Sequence, residues 1–257
     1  AVAALLSPSD AALLSDPNNI LGIEYCRALL RVGAAPALFT IPRTGAAHDA
    51  APENAGGYSA SAIRHLLAEG RPADALSRMV PAMRAVYEAE ESAGRAPVFA
   101  AACERAILAR LRSMTPAEFD ALDTGHEGVG QRLYNASRNA ATLDAVLDNA
   151  KTKRYAYARL RRMVLWAYLG LTPAKLPASV PYLRVLAANE TGRALLGRMR
   201  KTARLPVFTK PAAIRSLSPD AQRLFETESR AADLYALAYP ELTEACGSLW
   251  RQNPVMP

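Results

Sequence analysis

The feature that most constrains the fold of this 257-residue chain is a single clear strand prediction among helical patterns. Residues 37–41 form an apolar run, and Pro42 ends it because proline cannot donate to a sheet hydrogen bond. The only other candidate strand is residues 205–209. A buried strand without neighbours leaves backbone groups unsatisfied, so we expect residues 1–72 to be half of a doubly wound, Rossmann-like α/β domain.

A polar loop and a helix start follow the predicted strand. Ser59 or Ser61 can cap a helix over residues 62–69, and the free N–H groups at that helix end attract phosphate. Arg64 can add a bidentate contact to the same anion, and Arg43 directly follows the strand, where ligands of α/β folds bind. The alternative is an ordinary capped surface helix, because Ser-x-Ser before a helix is common.

Helical periodicity dominates from residue 73 to the C-terminus. We expect helices over residues 20–32, 73–93 with a break at Pro81, 98–114, 131–140, 143–149, 151–168 and 227–239. The predicted fold is therefore predominantly α: an incomplete Rossmann-like α/β segment at residues 1–72, followed by an all-α domain at residues 73–257.

Charge is strongly segregated along the chain. Fifteen Lys and Arg residues but one acid, Glu190, lie between Asn149 and Pro219, which gives that segment a net charge of +14. Because the whole chain carries +7, the remainder carries −7. A basic block of this size predicts a polyanionic partner, most simply nucleic acid, and the alternative is a solvated basic face without a partner.

The densest part of this block is Lys-Thr-Lys-Arg-Tyr-Ala-Tyr-Ala-Arg-Leu-Arg-Arg at residues 151–162. At about 100° per residue, a continuous helix would place five of its six cations on one arc of about 160°, with Tyr155 among them. Arginines beside an aromatic ring suit phosphate contacts and stacking on an unpaired RNA base. The cations on that arc are Lys151, Arg154, Arg159, Arg161 and Arg162.

Four ordered motifs resemble those of the tRNA(Met) cytidine acetate ligases, which belong to the nucleotidyltransferase superfamily with a His-x-Gly-His first signature. They are Asn-Asn-Ile-Leu-Gly-Ile-Glu-Tyr with Arg-Ala-Leu at residues 18–29, Ile-Pro-Arg with Gly45 and His-Asp at residues 41–49, Ser-Ala-Ser-Ala-Ile-Arg at residues 59–64, and the basic motif at residues 151–162. Glu127 and Arg132 also match an acidic, glycine-containing turn of that family.

The resemblance implies an ATP-dependent ligase that forms acetyl-adenylate from acetate and ATP, with Mg²⁺, and then makes N4-acetylcytidine at the wobble position of elongator tRNA(Met). It implies that ATP is bound by Asn18, Arg43, Ser59, Ser61 and Arg64. The residues expected to hold tRNA are Lys151, Lys153, Arg154, Tyr155, Arg159, Arg161 and Arg162.

The His-x-Gly-His signature itself is absent, since His48, His65 and His126 all lie in other contexts. We therefore expect the 257 residues alone to be inactive, and the sequence identifies no catalytic residue and no metal-binding residue. Two alternatives stay open: a non-catalytic, basic helical RNA-binding module, and a nucleotidyltransferase relative that adenylylates another acceptor. The Ser-x-Ser-x-Ile-Arg motif argues against the first, because RNA binding does not require it.

Hydropathy and cysteine spacing predict a compartment. No apolar run approaches the roughly 18 residues of a membrane span. Cys26, Cys103 and Cys246 are far apart and form no C-x-x-C motif, so a cytoplasmic location is the simplest expectation.

Overall fold

The computed structural model describes residues 7–14, 16–41, 59–122, 127–242 and 245–256. Contacts within the chain divide it into two units, residues 1–59 and residues 60–257. The sequence had suggested a boundary after residue 72, whereas this division groups residues 60–72 with the helical part.

Two helices make up the regular structure of the described part of the first unit. Helix α1 (Pro8–Leu13) begins after Ser7, whose hydroxyl accepts a bond from the Asp10 N–H at 3.2 Å. Helix α2 (Pro17–Val32) begins after Asp16 and ends at Gly33, whose φ of 66° terminates the helix in the left-handed conformation. The predicted helix over residues 20–32 is therefore confirmed, and it starts three residues earlier than expected.

The prediction of a strand at residues 37–41 is wrong. Residues 34–41 have no regular secondary structure, and the side chains of Phe39 and Ile41 are 90 % and 93 % exposed. A strand requires a hydrogen-bonded neighbour, and within the described ranges the only two named strands pair with each other, far along the chain. An apolar run alone does not provide that neighbour.

The second unit is helical, as predicted. Its first helices are α3 (Ala60–Ala68), α4 (Pro72–Ser77), α5 (Pro81–Ser92), α6 (Glu104–Ser113), α7 (Pro116–Asp120), α8 (Val129–Asn139), α9 (Leu143–Ala150) and α10 (Tyr157–Leu169). Pro81 begins a new helix, as expected. The helix predicted over residues 98–114 is divided, because a 3₁₀ turn at Ala100–Cys103 precedes α6.

Helices α6 to α10 enclose the main hydrophobic core. Leu111 of α6, Leu133 of α8 and Leu160 and Met163 of α10 are fully buried, and Phe119 of α7 lies among them. Phe119 packs edge-on against Tyr134, with the ring centroids 5.8 Å apart. This core fixes the first turn of α10, which carries part of the basic motif.

A second hydrophobic cluster forms near the C-terminus. Strand β1 (Leu183–Arg184) pairs in parallel with β2 (Val207–Phe208), with Leu183 opposite Val207, and helix α11 (Glu190–Thr202) connects them. Tyr182, Phe208, Ile214, Ala221 and Phe225 form the cluster. A 3₁₀ helix (Pro211–Ser216), α12 (Pro219–Ala236) and α13 (Ser248–Arg251) complete it.

Two predictions fall on this cluster. The candidate strand at residues 205–209 is confirmed at its centre, as β2. The predicted final helix over residues 227–239 starts earlier, because Ser218 caps the N-terminus of α12. Among the described helices, none combines the length and the apolar character needed to cross a lipid bilayer.

Candidate functional site

Asn18, expected to bind ATP, lies in the first turn of α2 and is exposed. Its backbone N–H donates to the Asp16 carboxylate at 2.7 Å, so Asp16, and not Asn18, is the N-cap of this helix. The side-chain amide of Asn18 therefore does not serve as the cap, and it retains both a donor and an acceptor for a nucleotide.

Ser59, Ser61 and Arg64 lie at the start of α3. The helix begins at Ala60, two residues before the predicted start, so Ser61 lies in the first turn and Ser59 occupies the position directly before the helix. Ser59 and Ser61 are half-buried and Arg64 is exposed. Because Arg64 follows Ser61 by three residues, the two side chains share one face of α3. Ser59 belongs to the first unit, and Ser61 and Arg64 belong to the second.

Three residues singled out from the sequence cannot be placed. Arg43, expected to bind ATP, and the histidines His48 and His126 lie outside the described residues.

Arg64 also borders a groove of about 410 Å³ within the second unit. Its aromatic lining consists of Tyr87, Phe99, Tyr235 and Tyr239. At its edge Arg95 binds both carboxylate oxygens of Glu90, at 2.6 and 2.9 Å, and this bond holds the pKa of Glu90 below its ordinary value. Burial raises the pKa of Tyr87 to about 12, so this phenol stays protonated at neutral pH.

The basic motif at residues 151–162 is not one continuous helix, so the predicted arc is wrong for Lys151 and Arg154. Helix α9 ends at Ala150, and α10 begins only at Tyr157. The hydroxyl of Thr152 accepts bonds from the backbone N–H groups of Arg154 at 3.2 Å and of Tyr155 at 3.1 Å. This local turn competes with the helix, as threonine side chains commonly do.

Tyr155 does not lie on the exposed basic surface. Its side chain is 7 % exposed and belongs to the main core, and its hydroxyl donates to the carbonyl of Glu127 at 2.6 Å. The guanidinium groups of Arg154 and Arg159 lie 5.8 and 5.3 Å from the ring centroid, and the Glu127 carboxylate is 3.0 Å from Arg154 and 3.9 Å from Arg159. A buried ring cannot stack on an RNA base in this conformation. We call Glu127, Arg154, Tyr155 and Arg159 the Glu127 cluster.

Arg154 is exposed but paired with Glu127, and the other exposed cations of the motif are Lys151, Lys153, Arg161 and Arg162. The aromatic ring beside them is Tyr157, which the sequence analysis did not select. Lys151 and Arg161 lie 5.2 and 5.6 Å from its centroid. The Tyr157 hydroxyl donates to Asp148, and this bond raises the pKa of the phenol. The sequence offered one signal for Tyr157: on a helix, residues two apart lie about 200° from each other, so Tyr155 and Tyr157 would face opposite ways.

Several arginines outside this motif hold the helices together. Arg132 donates to the carbonyls of Ala150 at 2.7 Å and Asn149 at 3.0 Å, and so caps the C-terminus of α9 just before the basic motif. Arg138 likewise binds the carbonyl of Met114 at 2.7 Å, and Arg110 binds that of Ala167 at 3.2 Å. These cations stabilise the scaffold, and the family-like residue Arg132 acts in this way.

Metal ligands are not grouped in the part of the chain that the structure describes. No set of three or more His, Cys, Asp or Glu side chains is placed there to hold a metal ion.

Together, a phosphate-type helix start and a helical domain with an exposed cationic surface are features typical of nucleotide-binding proteins that act on nucleic acids. A family model described as HIGH nucleotidyl transferase matches residues 1–248, and the chain belongs to that family. The predicted fold class, a nucleotidyltransferase segment followed by helices, is confirmed.

Curated relatives named tRNA(Met) cytidine acetate ligase confirm the resemblance. The Acetivibrio thermocellus protein is 32 % identical over 95 % of this chain and 61 % of its own length. The Halothermothrix orenii protein is 29 % identical over 92 % of this chain and 58 % of its own length. The chain thus spans about three fifths of these relatives.

Two crystal structures of Thermotoga maritima TmcAL have the same fold. The apo structure superposes with a TM-score of 0.88 at 24 % identity, over 96 % of this chain and 62 % of the Thermotoga chain. The structure bound with alpha-thio ATP gives a TM-score of 0.85 at 26 % identity, over 96 % and 61 % of the two chains.

Proposed function

We propose that this protein is an ATP-dependent tRNA(Met) cytidine acetate ligase. The observation that carries the proposal is its similarity to relatives of that name over more than nine tenths of the chain. A solved relative at 26 % identity binds an ATP analogue, which supports ATP as the co-substrate. A tRNA substrate in turn favours a cytoplasmic location.

The proposed reaction has two steps. A carboxylate oxygen of acetate attacks the α-phosphorus of ATP, which forms acetyl-adenylate and releases pyrophosphate. The N4 amine of the wobble cytidine then attacks the acetyl carbonyl carbon, loses a proton, and displaces AMP. Elongator tRNA(Met) is the proposed acceptor. Both steps develop negative charge on phosphate oxygens, so positioned donors and cations contribute most of the catalysis.

The residues at the start of α3 suit the first step. Ser61 and the N–H groups of the first turn can donate to phosphate oxygens, and Arg64 can neutralise them from the same helix face. Asn18 and Ser59 are proposed to contact the nucleotide as well, together with Arg43. Mg²⁺ is proposed to arrive with the phosphates and to be held mainly by them and by water.

The exposed cations of residues 151–162 suit tRNA binding. Lys151, Lys153, Arg161 and Arg162 are proposed to contact phosphates, and the ring of half-buried Tyr157 lies beside Lys151 and Arg161. The Glu127 cluster is proposed to act indirectly, because it fixes the turn that connects α9 to α10. In this view Arg154, Tyr155 and Arg159 shape the tRNA surface.

ATP binding tests the nucleotide site. Arg64→Ala removes a charge-assisted contact of about 1.5–3 kcal/mol, so the affinity for ATP should fall by about 10- to 100-fold in calorimetric titrations. Arg105→Ala, which removes an exposed arginine from α6, is the matched control and should bind ATP as the unchanged chain does. Equal affinities for both variants would remove Arg64 from the site.

Acetylation tests the reaction. The chain has no His-x-Gly-His sequence, so it is assayed alone and joined to a relative's segment that carries the signature. With ATP, labelled acetate and a tRNA(Met) transcript, mass spectrometry should detect N4-acetylcytidine for the joined protein only. Salt-dependent tRNA binding without any ATP binding would favour the non-catalytic RNA-binding module. Acetate-independent adenylylation would favour the relative with another acceptor.

A further inference from the structure

Helix α11 (Glu190–Thr202) differs from the core helices because none of its residues is buried. It carries four cations and one acid, and the acid, Glu190, lies in the first turn. The cations are Arg193, Arg198, Arg200 and Lys201. The Asn189 side chain caps the helix by accepting the Gly192 N–H at 2.9 Å, so local hydrogen bonding supports it.

The cations of α11 face away from the rest of the molecule. At about 100° per residue they occupy one arc of about 160°. The half-buried residues Gly192, Leu196 and Met199 lie within about 60° of one another on the opposite side of the helix. The helix therefore rests on one narrow apolar stripe and presents its charges to solvent.

These charges are not explained by the stability of the helix. Within the described part of the chain, no ion pair involves any of the four cations. Arg200 and Lys201 suit the helix C-terminus, but Arg193 lies near the N-terminus, where a cation is unfavourable. Arg198 and Lys201 are three residues apart, and like charges at that spacing repel each other. Arg154 of the Glu127 cluster, by contrast, has a carboxylate partner 3.0 Å away.

We propose that the cationic face of α11 binds the phosphate backbone of the RNA substrate. The four side chains are free to adjust to phosphates, and their number is comparable to that of the exposed cations at residues 151–162. This surface extends the proposed tRNA-binding function to a second element, separated in the chain from the first, and it rests on that proposed function for the identity of the RNA. Because phosphates are the same at every nucleotide, α11 contributes to the affinity for RNA and not to the recognition of its sequence.

The test is the salt dependence of tRNA(Met) binding by the full chain, followed by fluorescence anisotropy between about 50 and 200 mM KCl. The variant replaces Arg193, Arg198, Arg200 and Lys201 with glutamine. Each lost phosphate contact reduces the magnitude of the slope of log K against log salt by about 0.7–0.9, so the loss of four contacts should reduce it by about 3 to 3.5 and the affinity by at least about 10-fold at low salt. A second variant, with lysine at the three arginine positions, should keep the slope.

The matched control makes the same change in net charge elsewhere. It replaces four exposed arginines with glutamine: Arg31, Arg105, Arg223 and Arg230. Its slope should equal that of the unchanged chain. Equal slopes for the α11 variant and the unchanged chain would overturn the proposal, and so would equal losses in both variants or salt-independent binding by the unchanged chain.

ATP binding and acetylation distinguish this proposal from the proposed function. The α11 variant should bind ATP with unchanged affinity and show an unchanged circular dichroism melting curve. If the protein joined to a relative's His-x-Gly-His segment fails to acetylate tRNA but the α11 variant still loses its salt-dependent RNA binding, the proposed function fails and the assignment of α11 stands.

Discussion

Replacing Tyr155 separates its place in the core from its expected role in RNA stacking. Tyr155→Phe removes one hydroxyl, which donates to the Glu127 carbonyl at 2.6 Å, and keeps the buried ring. A typical hydrogen bond contributes about 0.5–1.5 kcal/mol net. Glu127 is exposed, so water can reach its freed carbonyl, and we expect a loss of about 1 kcal/mol. For a unit of this size that corresponds to a fall in melting temperature of about 2–4 °C.

Tyr155→Ala removes the ring as well. The ring is 7 % exposed within the main core, so its loss leaves a cavity, and comparable aromatic truncations cost about 3–5 kcal/mol. It also removes the aromatic partner of Arg154 and Arg159. Urea denaturation followed by circular dichroism should give the same m value for both variants. The free energy of unfolding should fall by about 1 kcal/mol for Tyr155→Phe and by about 3–5 kcal/mol for Tyr155→Ala.

The tRNA affinity of the same two proteins completes the comparison. Tyr155→Phe should bind tRNA as the unchanged chain does, and Tyr155→Ala should bind more weakly only to the extent that it is unfolded. A stacked base would contribute about 1–3 kcal/mol. If Tyr155→Ala were as stable as the unchanged chain but bound tRNA at least about 10-fold more weakly, Tyr155 would be a base-stacking residue. The assignment of its ring to the hydrophobic core would then be refuted.

Two further perturbations address the scaffold. Arg132→Met removes both bonds to the α9 carbonyls of Ala150 and Asn149, so we expect a loss of about 1–2 kcal/mol in urea denaturation, and an unchanged midpoint would show that water replaces the guanidinium. Bonds from Thr115 hold the pKa of Glu118 below its ordinary value of 4.5, so the folded carboxylate is stabilising above that pH and its contribution disappears as the pH falls through the lowered value. Glu118→Gln keeps an acceptor in the capping box but no charge, so its melting temperature should lie below that of the unchanged chain at pH 7, and the two should converge as the pH falls through the lowered pKa; a constant difference would mean that the charge contributes nothing.

Local signals account for much of the helical fold. Thr115 and Glu118 form the capping box that their spacing predicts, and Pro81 begins a helix as its position indicates. Such features depend on residues three or four apart, so the sequence contains all the information that they need. The basic block between residues 149 and 219 is likewise a property of composition.

Features that depend on distant partners were not predictable in the same way. The run at residues 37–41 has the composition of a strand, yet no described residue pairs with it. The two-residue strand β1 has little strand signal of its own, and it exists because β2 lies beside it. A strand forms only beside a pairing neighbour, and the strand propensity of its own residues cannot supply one. This explains both the absence of a strand at residues 37–41 and the presence of β1.

The candidate sites show the same division. The sequence alone determined which residues can bind phosphate: the serines and arginine at the start of α3, the cations of residues 151–162 and those of α11. The tertiary structure alone decided which of them face solvent. Tyr155 packs inward and holds the distant carbonyl of Glu127, whereas Tyr157 lies beside the exposed cations. The physical reason is that charge belongs to a residue type, whereas burial and pairing depend on which other parts of the chain fold against it.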